Sequence, residues 1–388
     1  MELEQQPDAL GFSRLRQGSE SVKILRAKTS SLFEGRPLTG SHLSNTQLNE
    51  EEMRAGATVL KSYPRRLVLE LTNRCNLNCV MCGRNSAHFR PTMLDMDAFH
   101  SLEPAMDHVE EVTLMGWGEP TVNPGFADML QTIADHGARA YFCTNGMRLD
   151  ALVDKILDTR VEVFAVSVDG ATRQSNARIR RGSDLDRICD SLRELFRRAQ
   201  ACGQEPPWVN FVLCAMRDNI AELPAVVRLA HETGVREVKV VYLTAFDEAQ
   251  APSVLWGYED EVRASFDAAI SEAERLDVVL KLPYVPGQDP DGTAPHRPCF
   301  TAWRDFFLGS DGYVRPCMST SQKLMRYDAN ADFFTMWNAP EFQRLRATVN
   351  QADAMPPQCA RCYQSSHCNW NLRSSFLQVG EDFSPEWE

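Results

Sequence analysis

An α/β chain built around a partly closed barrel is predicted by three observations. Six short apolar runs alternate with helical periodicities between residues 64 and 285. The runs are rich in β-branched and aromatic residues, as strands of a covered parallel sheet require. After residue 285 the alternation stops, and prolines, glycines and cysteines take over. Strand–helix units joined by right-handed crossovers make a parallel sheet, and six units fall short of the eight that close a barrel. The expected fold is therefore a partial, TIM-like (β/α)6 barrel followed by a small cysteine-rich α+β domain.

Residues 1–63 have little periodicity and read as an arm, partly helical, lying on the surface or poorly ordered. A helix over 44–60 is suggested by Ser44 and Gln47, spaced as a capping box. Strands are expected at Leu67–Leu71, Val112–Met115, Ala140–Cys143, Val161–Val168, Val209–Cys214 and Val238–Leu243. Phe126, Met129, Leu130 and Ile133 make a helical stripe, with Gly137 as its stop signal. Leu185, Ile188, Leu192, Leu195, Phe196 and Ala199 make a second stripe, and Val262, Phe266, Ala269, Ile270 and Ala273 a third. A domain boundary is placed near residue 285, giving an arm (1–63), a barrel (64–285) and a C-terminal domain (286–388). In such sheets the chemistry sits at the C-terminal strand ends.

The chain has 388 residues with 41 Lys and Arg against 53 Asp and Glu, a formal net charge of −12. That balance argues against broad binding to nucleic acid or to an anionic membrane surface. The longest apolar runs fall short of a membrane span. The N-terminus carries no apolar signal segment, so the cytoplasm is the expected compartment.

The unusual feature of the composition is its 12 cysteines. In a reducing compartment, cysteines at short spacing point to metal or redox chemistry rather than disulfides. Three stand at Cys75, Cys79 and Cys82, in the loop after the first strand. Five stand at Cys299, Cys317, Cys359, Cys362 and Cys368. Cys143, Cys189, Cys202 and Cys214 are scattered and read as small buried hydrophobes. Three thiolates within eight residues suit a soft metal centre. With three cysteines on a four-iron cluster, one iron stays open to another ligand. The bland reading is a zinc loop completed by His88.

The Cys-x3-Cys-x2-Cys spacing after a first barrel strand resembles the signature of the radical S-adenosylmethionine (SAM) enzymes. Other segments follow in the family's order. Gly116-Trp117-Gly118-Glu119-Pro120 resembles its Gly-Gly-Glu-Pro segment, Thr144-Asn145-Gly146 follows the third strand, and Ser167-Val168-Asp169-Gly170 ends the fourth. The resemblance covers residues 64–250 and continues beyond. It implies a 4Fe–4S cluster held by Cys75, Cys79 and Cys82, with SAM on the open iron, and a 5′-deoxyadenosyl radical made by one electron. It implies a methionyl-ammonium site at Gly116, Trp117 and Gly118 with Glu119 as support, and a SAM site that includes Asn145. Ser167 and Asp169 resemble ribose-contacting positions, and Arg180 by analogy meets the carboxylate. Met81 stands where the family often has an aromatic residue, near the adenine. An external electron donor such as flavodoxin or ferredoxin is implied too.

The C-terminal cysteines flank a predicted hairpin over Phe306–Val314 and resemble the SPASM and twitch extensions, which hold auxiliary iron–sulfur clusters. A full SPASM set has seven cysteines; here position 372 is Leu372 and none follows Cys368. The reading is one auxiliary 4Fe–4S cluster on Cys299, Cys317, Cys359 and Cys362, with Cys368 spare or replacing Cys362. A four-cysteine zinc ribbon is the bland alternative. Asp305, Asp311 and Glu341 read as solvated surface carboxylates, with none marked as a base. The main expectation is oxidation or rearrangement of a small molecule such as an amino sugar or cyclitol. A peptide- or protein-modifying maturase is the alternative, and a non-catalytic iron–sulfur carrier the second.

Overall fold

The computed structural model describes residues 35–85, 89–246, 248–283, 285, 299–318, 322–357, 359 and 376–377. Most of the arm lies outside these residues, as do His88, Cys362 and Cys368. Helix α1 is Gly40–Arg54. The strands are β1 Arg66–Leu69, β2 Glu111–Leu114, β3 Arg139–Thr144, β4 Val163–Ser167, β5 Trp208–Ala215, β6 Glu237–Tyr242, β7 Val279–Lys281 and β8 Asp305–Leu308. Two more, β9 Tyr313–Arg315 and β10 Met325–Arg326, complete one ten-stranded sheet in the order β7-β6-β5-β4-β3-β2-β1-β8-β9-β10. Every pair from β7 through to β8 is parallel. The six expected strands are present, and β7 and β8 add two more at the ends of the parallel run. The hairpin expected over Phe306–Val314 forms as β8 and β9, and its first strand pairs with β1, Arg66 against Asp305. The sheet therefore runs across the boundary drawn near residue 285.

The three helical stripes form α2 Phe126–Asp135, α3 Leu185–Ala201 and α4 Glu259–Leu276. Their apolar faces and the outward residues of the strands share one core: Leu67 and Leu69, Val112 and Leu114, Phe142, Phe164 and Val166, Val209, Phe211 and Leu213, Val238 and Val240. Strand side chains alternate faces. The other face of each strand therefore points into the barrel, and it mixes charged and polar residues with apolar ones such as Val68, Ala165, Val212 and Phe307. The sequence shows this as period two: Arg66, Glu70, Glu111, Asn210, Glu237, Lys239, Lys281 and Asp305 all take inward positions.

Helix α1 starts earlier and ends earlier than expected, and Ser44 does not cap it. The N-cap residue is Thr39, and the Ser44 hydroxyl instead donates to the Gly40 carbonyl at 3.0 Å. The helix docks through polar groups. Asn49 is fully buried and donates to the Ser62 hydroxyl at 3.0 Å and to the Trp303 carbonyl at 2.9 Å. Among the described residues, no helix is long and apolar enough to cross a membrane.

Candidate functional site

The loop after β1 is held from both sides before any ligand is considered. Thr72 donates through its hydroxyl to the Thr92 carbonyl at 2.7 Å, and Asn73 accepts from the Thr92 amide at 2.6 Å. Farther on, Asn78 and Cys79 pair antiparallel with Arg181 and Arg180, and the Val80 amide donates to the Ile179 carbonyl at 3.0 Å. The Leu77 amide lies 3.4 Å from Cys75 Sγ, and Asn145 Nδ2 lies 3.6 Å from it. Met81 packs in a small cluster with Ile179, Met216 and Leu243.

Cys79 is buried, while Cys75 and Cys82 are half-buried. Burial pushes the Cys79 thiol up to about 11; the Arg180 guanidinium opposes that shift, and the neighbouring Cys82 and Cys75 add to it. Burial also raises Cys75. Three thiols thus share one loop and act on one another. Three soft donors on one loop, Cys79 buried and Cys75 and Cys82 half-buried, fit an iron–sulfur cluster.

The segment after β2 comes within reach of this loop because it has glycines. A Cβ on Gly118 would stand 2.2 Å from the Thr72 carbonyl oxygen and 2.4 Å from that of Arg74. A Cβ on Gly116 would meet the Glu70 side chain. The close approach that requires glycine here is therefore of one protein loop to another. The Trp117 amide donates to Glu70 at 2.7 Å, and its ring stands edge-on to Phe246.

Glu119 is 2% exposed. Its carboxylate accepts from the Thr121 hydroxyl at 2.6 Å, the Thr144 hydroxyl at 2.6 Å and the Asn145 amide at 2.6 Å. Burial pushes this carboxyl up, and these hydrogen bonds oppose the shift. Glu119 thus ties the loops after β2 and β3 together and orients Asn145, whose side chain reaches Cys75 and Asn76. Glu119→Gln is expected to slow SAM cleavage about 10–100-fold, the range for residues that orient a metal ligand's neighbours, with iron content unchanged. A wild-type rate would show that the carboxylate's bonds do not position the loop.

Asp169 and Arg180 form a buried pair. Asp169 is fully buried and its Oδ2 lies 2.6 Å from Arg180 Nε, while its Oδ1 accepts from the Cys214 amide at 2.6 Å. Burial raises the Asp169 carboxyl and Arg180 opposes this, while Asp169 and Cys79 strengthen the charge on Arg180. Arg180 Nη1 comes to 4.0 Å of Cys79 Sγ. The guanidinium therefore links the cysteine loop to the ends of β4 and β5. Ser167 sits at the inner end of β4, its hydroxyl 3.7 Å from Cys143 Sγ.

Of the four scattered cysteines, only Cys189 is buried; Cys143 and Cys214 are half-buried on the barrel's inner face, and Cys202 is exposed at the end of α3. The expectation of four buried packing residues is corrected. Cys143 and Cys214 lie on strands whose outer residues fill the core, so alternation turns them inward. Asp305 is likewise no surface residue: it is 4% exposed, faces the barrel interior and pairs with Arg66 at 2.6 Å. Asp311 pairs with Arg315 at 2.6 Å; burial raises its carboxyl, but Arg315, the Tyr313 amide and Lys323 outweigh that and hold it below the usual range.

In the C-terminal part, Cys299 is bracketed by Asn350, which accepts from its amide at 2.7 Å and donates to its carbonyl at 3.0 Å. Burial, aided by Cys299, pushes the Cys359 thiol up to about 11, so these two cysteines are neighbours. Cys317 follows β9 and is half-buried. Cys362 and Cys368 lie outside the described residues.

Residues 69–230 match the radical SAM superfamily, and residues 299–363 match an iron–sulfur cluster-binding domain, SPASM. The chain is 24% identical over 223 residues to the tungsten-containing aldehyde ferredoxin oxidoreductase cofactor-modifying protein of Pyrococcus furiosus, covering 56% of this chain and 62% of that protein's length. It is 28% identical over 323 residues to the PqqA peptide cyclase of Gluconobacter oxydans, covering 78% of this chain and 84% of the cyclase. Among solved structures, Streptococcus suis SuiB bound to the precursor peptide SuiA superposes with a TM-score of 0.56 at 15% identity, covering 82% of this chain and 76% of that one. The parallel sheet, the three-cysteine loop after its first strand and the two matched segments together show that the chain carries a radical SAM domain followed by an iron–sulfur cluster-binding SPASM domain.

Proposed function

We propose that this enzyme modifies a peptide. The observation that carries the reading is the likeness to a peptide cyclase over 78% of the chain. Charged and polar residues on the inner face of the sheet, among them Arg66, Asn210 and Asp305, support it by offering groups that can meet a peptide backbone. The sequence alone favoured an amino sugar or cyclitol; the relatives favour the maturase alternative instead.

In this reading Cys75, Cys79 and Cys82 hold a 4Fe–4S cluster. When bound, that cluster supplies the electron that splits SAM into methionine and a 5′-deoxyadenosyl radical. Residues 116–118 offer backbone polar groups to the methionyl ammonium. Glu119 positions Asn145, and the Asp169–Arg180 pair holds the loop behind Cys79 while Ser167 faces the ribose. Cys299, Cys317, Cys359 and Cys362 hold one auxiliary cluster, with Cys368 as a replacement ligand, and an external flavodoxin or ferredoxin delivers the electron. The arm, barrel and C-terminal domain divide near residues 63 and 285 for function, although the sheet is continuous across the second boundary.

The test is to incubate anaerobically reconstituted enzyme with SAM, reductant and any short peptides encoded beside its gene together with a random peptide library, and in parallel with amino-sugar and cyclitol alcohols. The expected result is a peptide that loses hydrogen in proportion to the 5′-deoxyadenosine formed. Turnover of the alcohols and of no peptide would overturn the reading.

A further inference from the structure

The two matched segments of the chain meet at one buried carboxylate. Glu70 continues β1 and is 6% exposed, and its amide donates to the Leu308 carbonyl of β8 at 3.0 Å. Its Oε1 accepts from the Trp117 amide at 2.7 Å. Its Oε2 accepts from the Ser310 amide at 3.2 Å and from the Ser310 hydroxyl at 2.7 Å. Trp117 belongs to the radical SAM segment, whereas Ser310 belongs to the SPASM segment, at the turn between β8 and β9. The carboxylate thus ties the turn of the C-terminal hairpin to the loop after β2.

Ser310 reaches the cysteine loop as well. A hydroxyl has one hydrogen to give. That of Ser310 goes to Glu70, so the Thr92 hydroxyl, 2.7 Å away, donates to Ser310 Oγ. Thr92 in turn holds Thr72 and Asn73 through its backbone. The turn is itself closed by the Gly309 amide, which donates to the Tyr313 carbonyl at 2.9 Å, and by the Gly312 amide, which donates to the Gly309 carbonyl at 2.9 Å. One hairpin turn therefore braces both loops.

Two observations say what the bracing is for. The first is the direction of a peptide unit. The Gly116–Trp117 bond is trans, so its N–H and C=O point opposite ways. With the Trp117 N–H held by Glu70, the Gly116 carbonyl points away from that carboxylate. Gly116 is exposed, and among the described residues nothing donates to its carbonyl. A Cβ on Gly116 would stand 2.3 Å from Glu70 Cγ, so glycine lets the loop sit on the carboxylate. The second observation is charge. The donors to Glu70 are neutral, and among the described residues no cation pairs with it. A buried carboxylate with neutral partners gains from a nearby positive charge. An ammonium that donates to the Gly116 carbonyl brings that charge to the far side of the same peptide unit.

We propose that Glu70 is a positioning residue for the methionyl ammonium of SAM, and that Ser310 of the C-terminal hairpin acts through it, so that SAM binding in the barrel depends on the SPASM turn. The proposal rests on the reading above that residues 116–118 receive this ammonium, and it holds whatever the substrate.

The experiment uses the reconstituted full chain, with each variant matched to wild type in iron content. The SAM dependence of 5′-deoxyadenosine formation is measured with dithionite as reductant. Ser310→Ala is expected to raise the KM for SAM about 10-fold and Glu70→Gln about 100-fold, the span for residues that stand behind a ligand's direct contacts. The kcat at saturating SAM should stay within about twofold, as loss of uniform binding requires. The double variant should be no worse than Glu70→Gln alone, because both changes act through one carboxylate. Amide hydrogen exchange at Trp117, measured without SAM, should speed up at least about tenfold in both single variants. Unchanged exchange would overturn the bracing and leave the SAM reading of residues 116–118 standing. Faster exchange with an unchanged KM would overturn that reading and the proposal with it. Single effects that multiply in the double variant would overturn the action of Ser310 through Glu70.

Discussion

Replacing Cys75, Cys79 and Cys82 together by alanine is expected to lower 5′-deoxyadenosine formation by at least ~10³-fold, because it removes all three thiolates proposed to hold the cluster. The loop itself should survive. Its shape is set by Thr72, Asn73, Arg84 and the Asn78–Arg181 pairing, none of which uses a thiol. The triple variant should therefore fold and retain the iron of the C-terminal part, about four irons per chain if one auxiliary 4Fe–4S cluster is present. Iron analysis and Mössbauer spectra of the two proteins decide it. Full SAM cleavage by the triple variant would remove these cysteines from the site. A variant without any iron would show that the C-terminal cysteines hold no cluster of their own.

Arg180→Met is expected to lower stability by roughly 3–5 kcal/mol, because it strands a buried carboxylate. Asp169 is fully buried and the Arg180 side chain 12% exposed, so solvent does little to screen the loss. Coupling a second change, Asp169→Leu, to the first should recover much of the deficit, since two apolar residues leave no orphan charge. Denaturant unfolding of the metal-free proteins measures both. If the double variant is no more stable than the single one, the pair is not the source of the cost. Arg180→Lys should recover little, because a lysine presents one point charge where the guanidinium reaches both Asp169 and Cys79.

Much of this architecture is legible in the residues, and the failures have physical causes. The six runs from Leu67 to Leu243 form strands because each carries enough apolar residues on its outer face to be noticed. β7 escaped because Val279–Lys281 gives three residues and one of them is charged. β8 was recognised as half of a hairpin, but its parallel partner β1 lies far away in sequence, and local pattern says nothing of distant pairing. The three-cysteine loop was legible from spacing, and its support was not: Asn145 and Arg180 owe their place to loop packing. Cys143, Cys214 and Asp305 were misassigned for one reason. In a barrel whose interior carries charged groups, burial from solvent does not mean burial in the core, and alternation along the strand separates the two. The lysines at 239 and 281 carried that signal, each set between apolar residues.

The pairing of β1 with β8 also bears on how the chain is made. Arg66 and Asp305 are 239 residues apart. At ~5–20 residues per second, ribosomal synthesis leaves roughly 12–48 s between them. Through that interval the outer edge of β1 has no strand beside it, and an uncovered edge recruits other chains. Slow translation or early termination before residue 305 would therefore favour aggregation of nascent barrels. Expression yield should be set less by the final stability of the sheet than by how soon its last parallel strand arrives.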